Sequence, residues 1–380
     1  MRLISVARAQ EGTVLGRDVL IGRADGVPLL RAGVTLTNRY RELLTRAGIT
    51  AVYIEDEISE GIVVETIIDD VTREVATRAV ASAYQSARAA LAHGQAFTPA
   101  TIQDLESVVE QILVQITSAG DTAFALADLS SADGYTFQHS IDVTATGLLV
   151  GRRYFADYGW LDFRGERHYD RINGRLSILG LGLLLHDIGK LAVPLSILNK
   201  PGKLSAEEWL LMRNHPRAGL DVLNGDQWSP LVKTIVLRHH ERWDGSGYPD
   251  GKVGEDTHAL ARIAAVADVF DAMTSERPYA PARPAAEGVR TILEGAGTLF
   301  DPEVVASFRN VVAPFPPGTE VALNDGRVAL VVSVPDQALD RPVVRIIQGA
   351  QAGSEIQLSD EPEFGILGWD HQLYRLPVTA

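Results

Sequence analysis

Leu183–Lys190 reads LLLHDIGK, and the rest of the chain is organised around it. An apolar run from Leu176 to Leu185 delivers His186 and Asp187 side by side, with Gly189 and Lys190 just after. Apolar residues all round predict a buried helix, because a solvent-facing helix would carry a polar stripe. Burying an adjacent imidazole and carboxylate without partners costs several kcal/mol. A divalent cation would offset that cost, since both groups are ligands for such ions. A satisfied polar pair in an ordinary core is the alternative, and this stretch alone does not separate the two.

Working outward, 380 residues are too many for one ordinary core, so two or three domains are expected. Hydrophobic content of 46% and charged content of 22% are globular values. The net charge of −14 argues against non-specific binding of nucleic acid or anionic membrane. An anionic small ligand is compatible with it where a local site supplies positive charge. With no cysteine in the chain, disulfides, thiolate metal sites and a cysteine nucleophile are excluded. Any metal site must therefore use histidine and carboxylate, a donor set that suits iron, manganese or zinc. The start, MRLISVARAQEG, lacks the apolar core of a signal peptide, and the longest apolar run is about half a membrane span. The sequence is read as cytoplasmic.

Residues 1–66 are read as a small β-rich domain with one helix capped by Thr37 and ended by Gly48, a candidate regulatory or interaction module. Two long helices follow, about 71–93 and 99–118, within a connecting region 67–125. They could pair with a second copy as a homodimer or pack on the neighbouring domain. From 126 to 314 the pattern is almost wholly helical, interrupted by loops at 157–174, 194–203 and 243–257. The first of these loops is aromatic-rich, a lid or an insertion. Beyond Pro317 the period changes to two. Val321 and Leu323, then Asn324-Asp325-Gly326, then Val328, Leu330 and Val332 predict a hairpin. Further strands are expected at 345–348 and 356–358, completing a small β appendage over 317–380. The fold class is thus mainly α, with small β-rich domains at both ends.

The helical region also holds most of the histidines: His139 in YTFQHS, His186 in HDIGK, His215 in RNHPRAG, and His239 with His240 in LRHHERWDGSGYP. Asp268 lies in the apolar helix AAVADVFDAM, where an unpaired carboxylate is costly. Asp271 shares its face one turn on and could orient a ligand. Singly these signals are weak: a lone histidine on a helix is more often a satisfied core residue than a ligand. Together, five histidines and two aspartates on separate helices are what a dinuclear site in a bundle core would need. His93, His168, His258 and His371 sit in polar or loop contexts and are read as incidental.

The ordered set HDIGK, HHE with DGSGYP, and a helix with AD followed by RPY resembles the HD-GYP domain of bacterial signalling proteins, within the HD metal-dependent phosphohydrolases. The resemblance covers about 126–314, an all-helical HD-type bundle, and leaves both flanks outside. It implies a phosphodiesterase that opens cyclic di-GMP to pGpG or GMP, using a hydroxide held between two divalent ions, iron or manganese. By motif, the implied ligands are His139, His186, Asp187, His215, His239, His240 and Asp268, with Asp187 bridging. Lys190 would face the reacting phosphate. Gly245, Gly247, Tyr248 and Pro249 would shape the nucleotide loop, and Arg277 would contact phosphate. Two departures stand out: Tyr135 occupies the position of a glutamate that supports a third metal in some relatives, and Ala280 follows RPY where some carry a basic residue. The first predicts two metals instead of three. The second, with the 157–174 insertion, motivates an alternative: a weak or inactive domain that senses a cyclic dinucleotide or binds signalling proteins.

Overall fold

The computed structural model describes all residues except 20–27, 65, 94–96, 119–122, 125–134, 201, 276–281, 369–373 and 375–380; for 90, 93, 123, 124, 135 and 136 it describes the backbone alone. At the N-terminal end, β1 (Arg2–Ser5), β2 (Val14–Leu15), α1 (Asn38–Arg46) and β3 (Ala51–Glu55) form a small unit. β3 is central and antiparallel to both neighbours, with Arg2 opposite Ile54 and Val14 opposite Glu55. Thr37 Oγ1 accepts from Tyr40 N at 3.3 Å and starts α1, while Gly48 at φ +77° turns the chain out of it. Leu15, Leu36, Leu44, Val52 and Ile54 fill its core.

The helical body comprises α2 (Asp70–His93), α3 (Pro99–Ser118), the short β4 (Ala123–Phe124) and α4 (Tyr135–Tyr158). It continues through β5 (Trp160–Leu161), β6 (Arg167–His168) and α5 (Ile172–Leu185). After α5 come α6 (Leu195–Leu198), α7 (Ala206–Arg213), α8 (His215–Val222), α9 (Pro230–Arg238) and α10 (Ala259–Thr274). Finally α11 (Ala285–Glu294), α12 (Pro302–Arg309) and β7 (Val312–Ala313) end the body, β7 pairing in parallel with β4.

α5 runs through the centre, apolar on every face as its sequence requires. Glycines bring its neighbours close. A methyl on Gly182 would stand 2.3 Å from Ile235 of α9, and one on Gly180 would stand 2.6 Å from Val109 of α3. On the α4 side, Gly147 and Gly151 receive Leu183 and Leu179 in the same manner. The apolar stripes of α2 and α3, including Val80, Leu105, Val109 and Ile112, join this one core instead of standing apart as a linker. Arg73 of α2 pairs at 2.7 Å with Asp142 of α4, one turn from His139, and Gln138 supports the same carboxylate at 2.9 Å. Among the described residues no helix is long and apolar enough to cross a membrane.

Two local expectations change. Residues 157–174 are not one loop: α4 continues to Tyr158, a hairpin of β5 and β6 follows, and α5 starts at Ile172. Asp162 Oδ1 closes the hairpin turn by accepting from Arg164 N at 2.8 Å and Glu166 N at 2.9 Å. Trp160 stacks on His168 with ring centres 4.6 Å apart, and the Arg175 guanidinium lies 3.8 Å from its centroid. Second, the expected loop 194–203 holds the short helix α6. The buried helix delivers His186 and Asp187 as expected. It ends at Leu185, His186 is its C-cap, and Ile188–Ala192 form a 3-10 turn.

The C-terminal unit is a four-stranded sheet of β8 (Glu320–Ala322), β9 (Val328–Ser333), β10 (Val343–Ile346) and β11 (Glu355–Gln357), in the order β11-β10-β9-β8. The predicted hairpin is present, with Glu320 opposite Leu330 and Ala322 opposite Val328 around Gly326 at φ +89°. β10 ends at Ile346, short of the expected Gln348, because Gly353 N returns to Ile346 O at 2.8 Å and closes a turn there. The two β units touch each other: Leu3 N donates to Gly318 O at 3.0 Å, and Arg345 Nη1 donates to Glu60 O at 2.7 Å.

Candidate metal centre

Helix ends build this site. The last carbonyls of a helix lack intrahelical donors, and three histidines use them. At the C-cap of α5, His186 Nδ1 donates to Leu183 O at 2.7 Å. At the C-cap of α9, His239 Nδ1 donates to Val236 O at 2.9 Å. His215, where α7 gives way to α8, donates to Met212 O at 2.9 Å. A carbonyl only accepts, so Nδ1 carries the proton in each ring and Nε2 presents its lone pair to the centre. His139, in the second turn of α4, is held by a carboxylate instead: its Nδ1 lies 2.5 Å from Asp271 Oδ2. Ser275 Oγ donates to the other oxygen of Asp271 at 2.9 Å, and the residue is buried in α10. This is the orienting role expected for Asp271.

Asp187 stands between two groups of nitrogens. Its Oδ2 lies 3.4 Å from His186 Nε2 and 3.6 Å from His139 Nε2. Its Oδ1 lies 3.3 Å from His215 Nε2 and 3.9 Å from His239 Nε2. Asp268 Oδ1 is 3.2 Å from His139 Nε2, and its Oδ2 is 3.6 Å from His240 Nδ1. The seven side chains named from the motifs thus come together as two adjoining sets, one of His139, His186 and Asp268, the other of Asp187, His215, His239 and His240. Lys190 Nζ reaches Asp187 Oδ2 at 2.5 Å while staying 24% exposed, at the rim of the cluster.

The electrostatics favour a cation. Burial drives the protonation of His215 down to about 4 and of His240 to about 3, and holds His239 well below the usual histidine range. Burial alone would raise both aspartates. Lys190 and the His186 hydrogen bond nevertheless hold Asp187 well below the usual carboxylate range, and His139 and His240 do the same for Asp268. Burial also opposes charge on His139, but Asp268 and Asp271 outweigh it and raise that ring to about 9. Near neutral pH the centre therefore presents His215, His239 and His240 as neutral imidazoles and both aspartates as carboxylates, the protonation states that metal ligation requires. His139 holds a proton beside Asp268 and Asp271 that a bound cation would displace. Two further observations test the fit. Asp187 Oδ1 is fully buried with no hydrogen-bond partner among the described residues, an arrangement that a cation would satisfy. The His139 and His186 Nε2 atoms stand 3.3 Å apart, as do those of His215 and His239, so in each set two ring nitrogens converge beside an Asp187 oxygen. All donors are nitrogen or oxygen, and the set fits a divalent transition metal.

The loop after α9 forms one wall. Tyr248 N donates to His240 O at 3.2 Å, and the Tyr248 ring lies 4.7 Å from the His240 ring. Gly247 is needed because a methyl there would fall 2.4 Å from Arg242 N and 2.6 Å from His240 O. Tyr248-Pro249 is a cis peptide. Two residues of this wall carry no role from the sequence reading. Glu241, inside HHE, is 4% exposed. The Arg213 guanidinium lies 4.6 Å from the Tyr248 ring centre, and nothing in its local sequence flags it.

Of the histidines read as incidental, His168 stacks in the hairpin and His258 caps α10 by accepting from Leu260 N at 3.2 Å. The His93 side chain and His371 lie outside the described residues, as do Arg277, Tyr279, Ala280 and the side chain of Tyr135. A third group, Asp162, Glu166 and His168, sits on the hairpin surface, where Asp162 serves the turn.

Replacing Asp271 by alanine should weaken divalent-metal affinity about 10- to 100-fold by freeing the His139 ring. Competition with a coloured chelator measures this, and unchanged affinity would show that the carboxylate does not orient the ring.

The HD domain family model matches residues 177–304. A cyclic di-GMP phosphodiesterase of Pseudomonas aeruginosa is 37% identical over 278 residues, covering 73% of this chain and 62% of that protein. A cyclic di-GMP phosphodiesterase response regulator of Xanthomonas campestris pv. campestris is 49% identical over 132 residues, 34% of this chain and 35% of that one. A 3'3'-cGAMP-specific phosphodiesterase of Vibrio cholerae is 42% identical over 123 residues, 32% of this chain and 24% of that one. The chain spans less than two thirds of each of these relatives. With the helical body and the buried His/Asp cluster, these matches identify an HD domain in the helical unit of this chain, whose motif order resembles that of the HD-GYP group.

Proposed function

We propose that this chain is a metal-dependent phosphodiesterase that hydrolyses cyclic di-GMP to pGpG or GMP. The observation that carries the reading is Asp187, whose two oxygens face two different histidine sets. In this reading His139, His186 and Asp268 hold one divalent ion, His215, His239 and His240 hold a second, and Asp187 is shared. Iron and manganese suit the donors. Bound there, two divalent ions supply charge neutralisation at the phosphate and a water acidic enough to be a nucleophile near neutral pH. The new bond forms between water oxygen and phosphorus as the bond to the departing ribose oxygen breaks. Lys190, at the rim on Asp187, puts a positive charge beside the phosphate and completes a catalytic pair with that aspartate. Gly247, Tyr248 and Pro249 form the wall against a base, and Arg277 is assigned to phosphate from its motif alone.

The names of the relatives support a cyclic dinucleotide as substrate, and they divide between cyclic di-GMP and 3'3'-cGAMP. The sensor reading is not favoured, because a domain without chemistry would not need the whole donor set. DNA and membrane have no part in the proposal, and the acidic surface agrees with that. A homodimer through helices 71–118 is left out as well, since their apolar stripes lie in the chain's own core.

Protein purified without oxygen and loaded with iron or manganese should convert cyclic di-GMP to linear products resolved by chromatography. Intact nucleotide with every divalent metal tried would refute the enzyme reading. Faster turnover of 3'3'-cGAMP would move the substrate while keeping the reaction.

A further inference from the structure

Glu241 directly follows His240, yet its carboxylate turns away from the cluster. It is 4% exposed and makes no ion pair among the described residues, a costly state for an isolated charge. What satisfies it is the chain ahead of it: Asp250 N donates to Oε1 at 2.7 Å and Lys252 N donates to Oε2 at 3.1 Å. Each carboxylate oxygen thus takes one backbone N–H from the far side of the loop that carries Tyr248. On the near side Tyr248 N is fixed to His240 O at 3.2 Å, and Gly247 packs on the backbone of residues 240–242. The Asp250 side chain is tied independently, to Arg217 at 2.6 Å and Arg238 at 3.6 Å. The loop is therefore clamped from both ends onto the short segment that bears His240, and at its far end one buried carboxylate takes the backbone N–H groups of both Asp250 and Lys252.

We infer that Glu241 is the positioning residue that sets the Tyr248 loop against the metal centre, so that it governs substrate binding without holding metal. The inference rests on the phosphodiesterase reading for its kinetic consequence, but not for its structural one. Charge-assisted hydrogen bonds to backbone amides are strong, and leaving the amides without an acceptor exposes them. A glutamine offers one acceptor oxygen for two donors and turns an N–H against the other.

The test uses the full chain, metal-loaded. In Glu241→Gln, amide hydrogen exchange of the segment 245–252 without nucleotide should quicken about tenfold or more, with α5 and α10 unchanged. KM for cyclic di-GMP should rise about tenfold with kcat within a factor of about three, and metal content should match wild type. In a Tyr248→Ala background the same change should leave KM where Tyr248→Ala alone puts it, since the loop then has no ring to place. Glu241→Asp, which keeps the charge on a shorter arm, should quicken exchange less and serves if the glutamine variant misfolds. Unchanged exchange in both variants overturns the inference, and so does loss of metal with the loop protected. If wild type turned over no cyclic dinucleotide, the phosphodiesterase reading would fail while exchange still decided what Glu241 does.

Discussion

Asp187→Ala should lose both bound ions, or keep at most one weakly, and should hydrolyse cyclic di-GMP about a thousandfold more slowly or worse. The expected size follows from geometry. Oδ2 serves the His139 and His186 side while Oδ1 serves the His215 and His239 side, so one truncation removes an anionic donor from both sets. Lys190 loses its partner at the same time and becomes an uncompensated positive charge beside the centre. Losing the charge stabilisation that metals give a phosphoryl transfer costs several kcal/mol, and each 1.36 kcal/mol is about tenfold in rate. Metal analysis of the purified variant, alongside chromatography of the products, reads both losses. A variant that kept two tightly held ions would show that Asp187 is not shared. His168→Ala, on the hairpin away from the cluster, should change neither quantity.

Gly189→Ala should be the most damaging methyl among the described glycines. An added Cβ would stand 1.9 Å from His215 O, 2.4 Å from Gly219 N and 2.9 Å from Gly219 Cα, all backbone atoms that no rotamer change can move aside. The 3-10 turn carrying Lys190 would have to separate from α8, and His215 would move with it. Overpacking against backbone costs about 3 kcal/mol or more, so the melting temperature should fall by about 4 °C or more in a chain of this size. Metal should be lost in step, because Asp187 and His215 sit on either side of the strained contact. Gly174→Ala is the matched control: this glycine lies exposed in the first turn of α5 with nothing within 4 Å of the new methyl. A helix gains about 0.5–1 kcal/mol from that change, so thermal stability should rise slightly. Equal behaviour of the two variants would contradict the packing described for Gly189.

Much of the architecture is legible in residue patterning. The apolar run Leu176–Leu185 demands burial whatever surrounds it, and α5 is central. Thr37, Gly48 and the Asn324-Asp325-Gly326 turn act on residues next to them in the chain, so their elements form close to where they are expected. The histidines and aspartates are recognisable because HDIGK, HHE and GYP keep type and order along the chain. Legibility fails where partners are distant in sequence. Residues 157–174 look like a loop because a two-residue strand leaves no periodicity, and the hairpin there depends on Asp162 and on the stack of Trp160, His168 and Arg175. Arg213 is unremarkable until Tyr248 lies beneath it. The sequence of the connecting helices leaves pairing with a second copy and packing on the neighbouring domain both open, and in the fold Val109 lies against Gly180 inside the chain's own core.

Sequence by itself determined the donor chemistry: no thiol, five histidines and two aspartates in a set order on a helical body, with one apolar helix that had to be internal. Only the tertiary structure decided how those donors divide. The helices stop where their free terminal carbonyls can take an imidazole N–H, which sets the tautomers of His186, His215 and His239 and aims three lone pairs inward. Asp187 faces both histidine sets because α5 ends at Leu185, two residues before it, and the turn to 3-10 geometry lets its two oxygens point different ways. Glu241, one residue from a donor and identical in chemistry to a ligand, faces the loop instead. Which way a carboxylate points is a matter of packing across helices, and adjacency in a sequence cannot specify it.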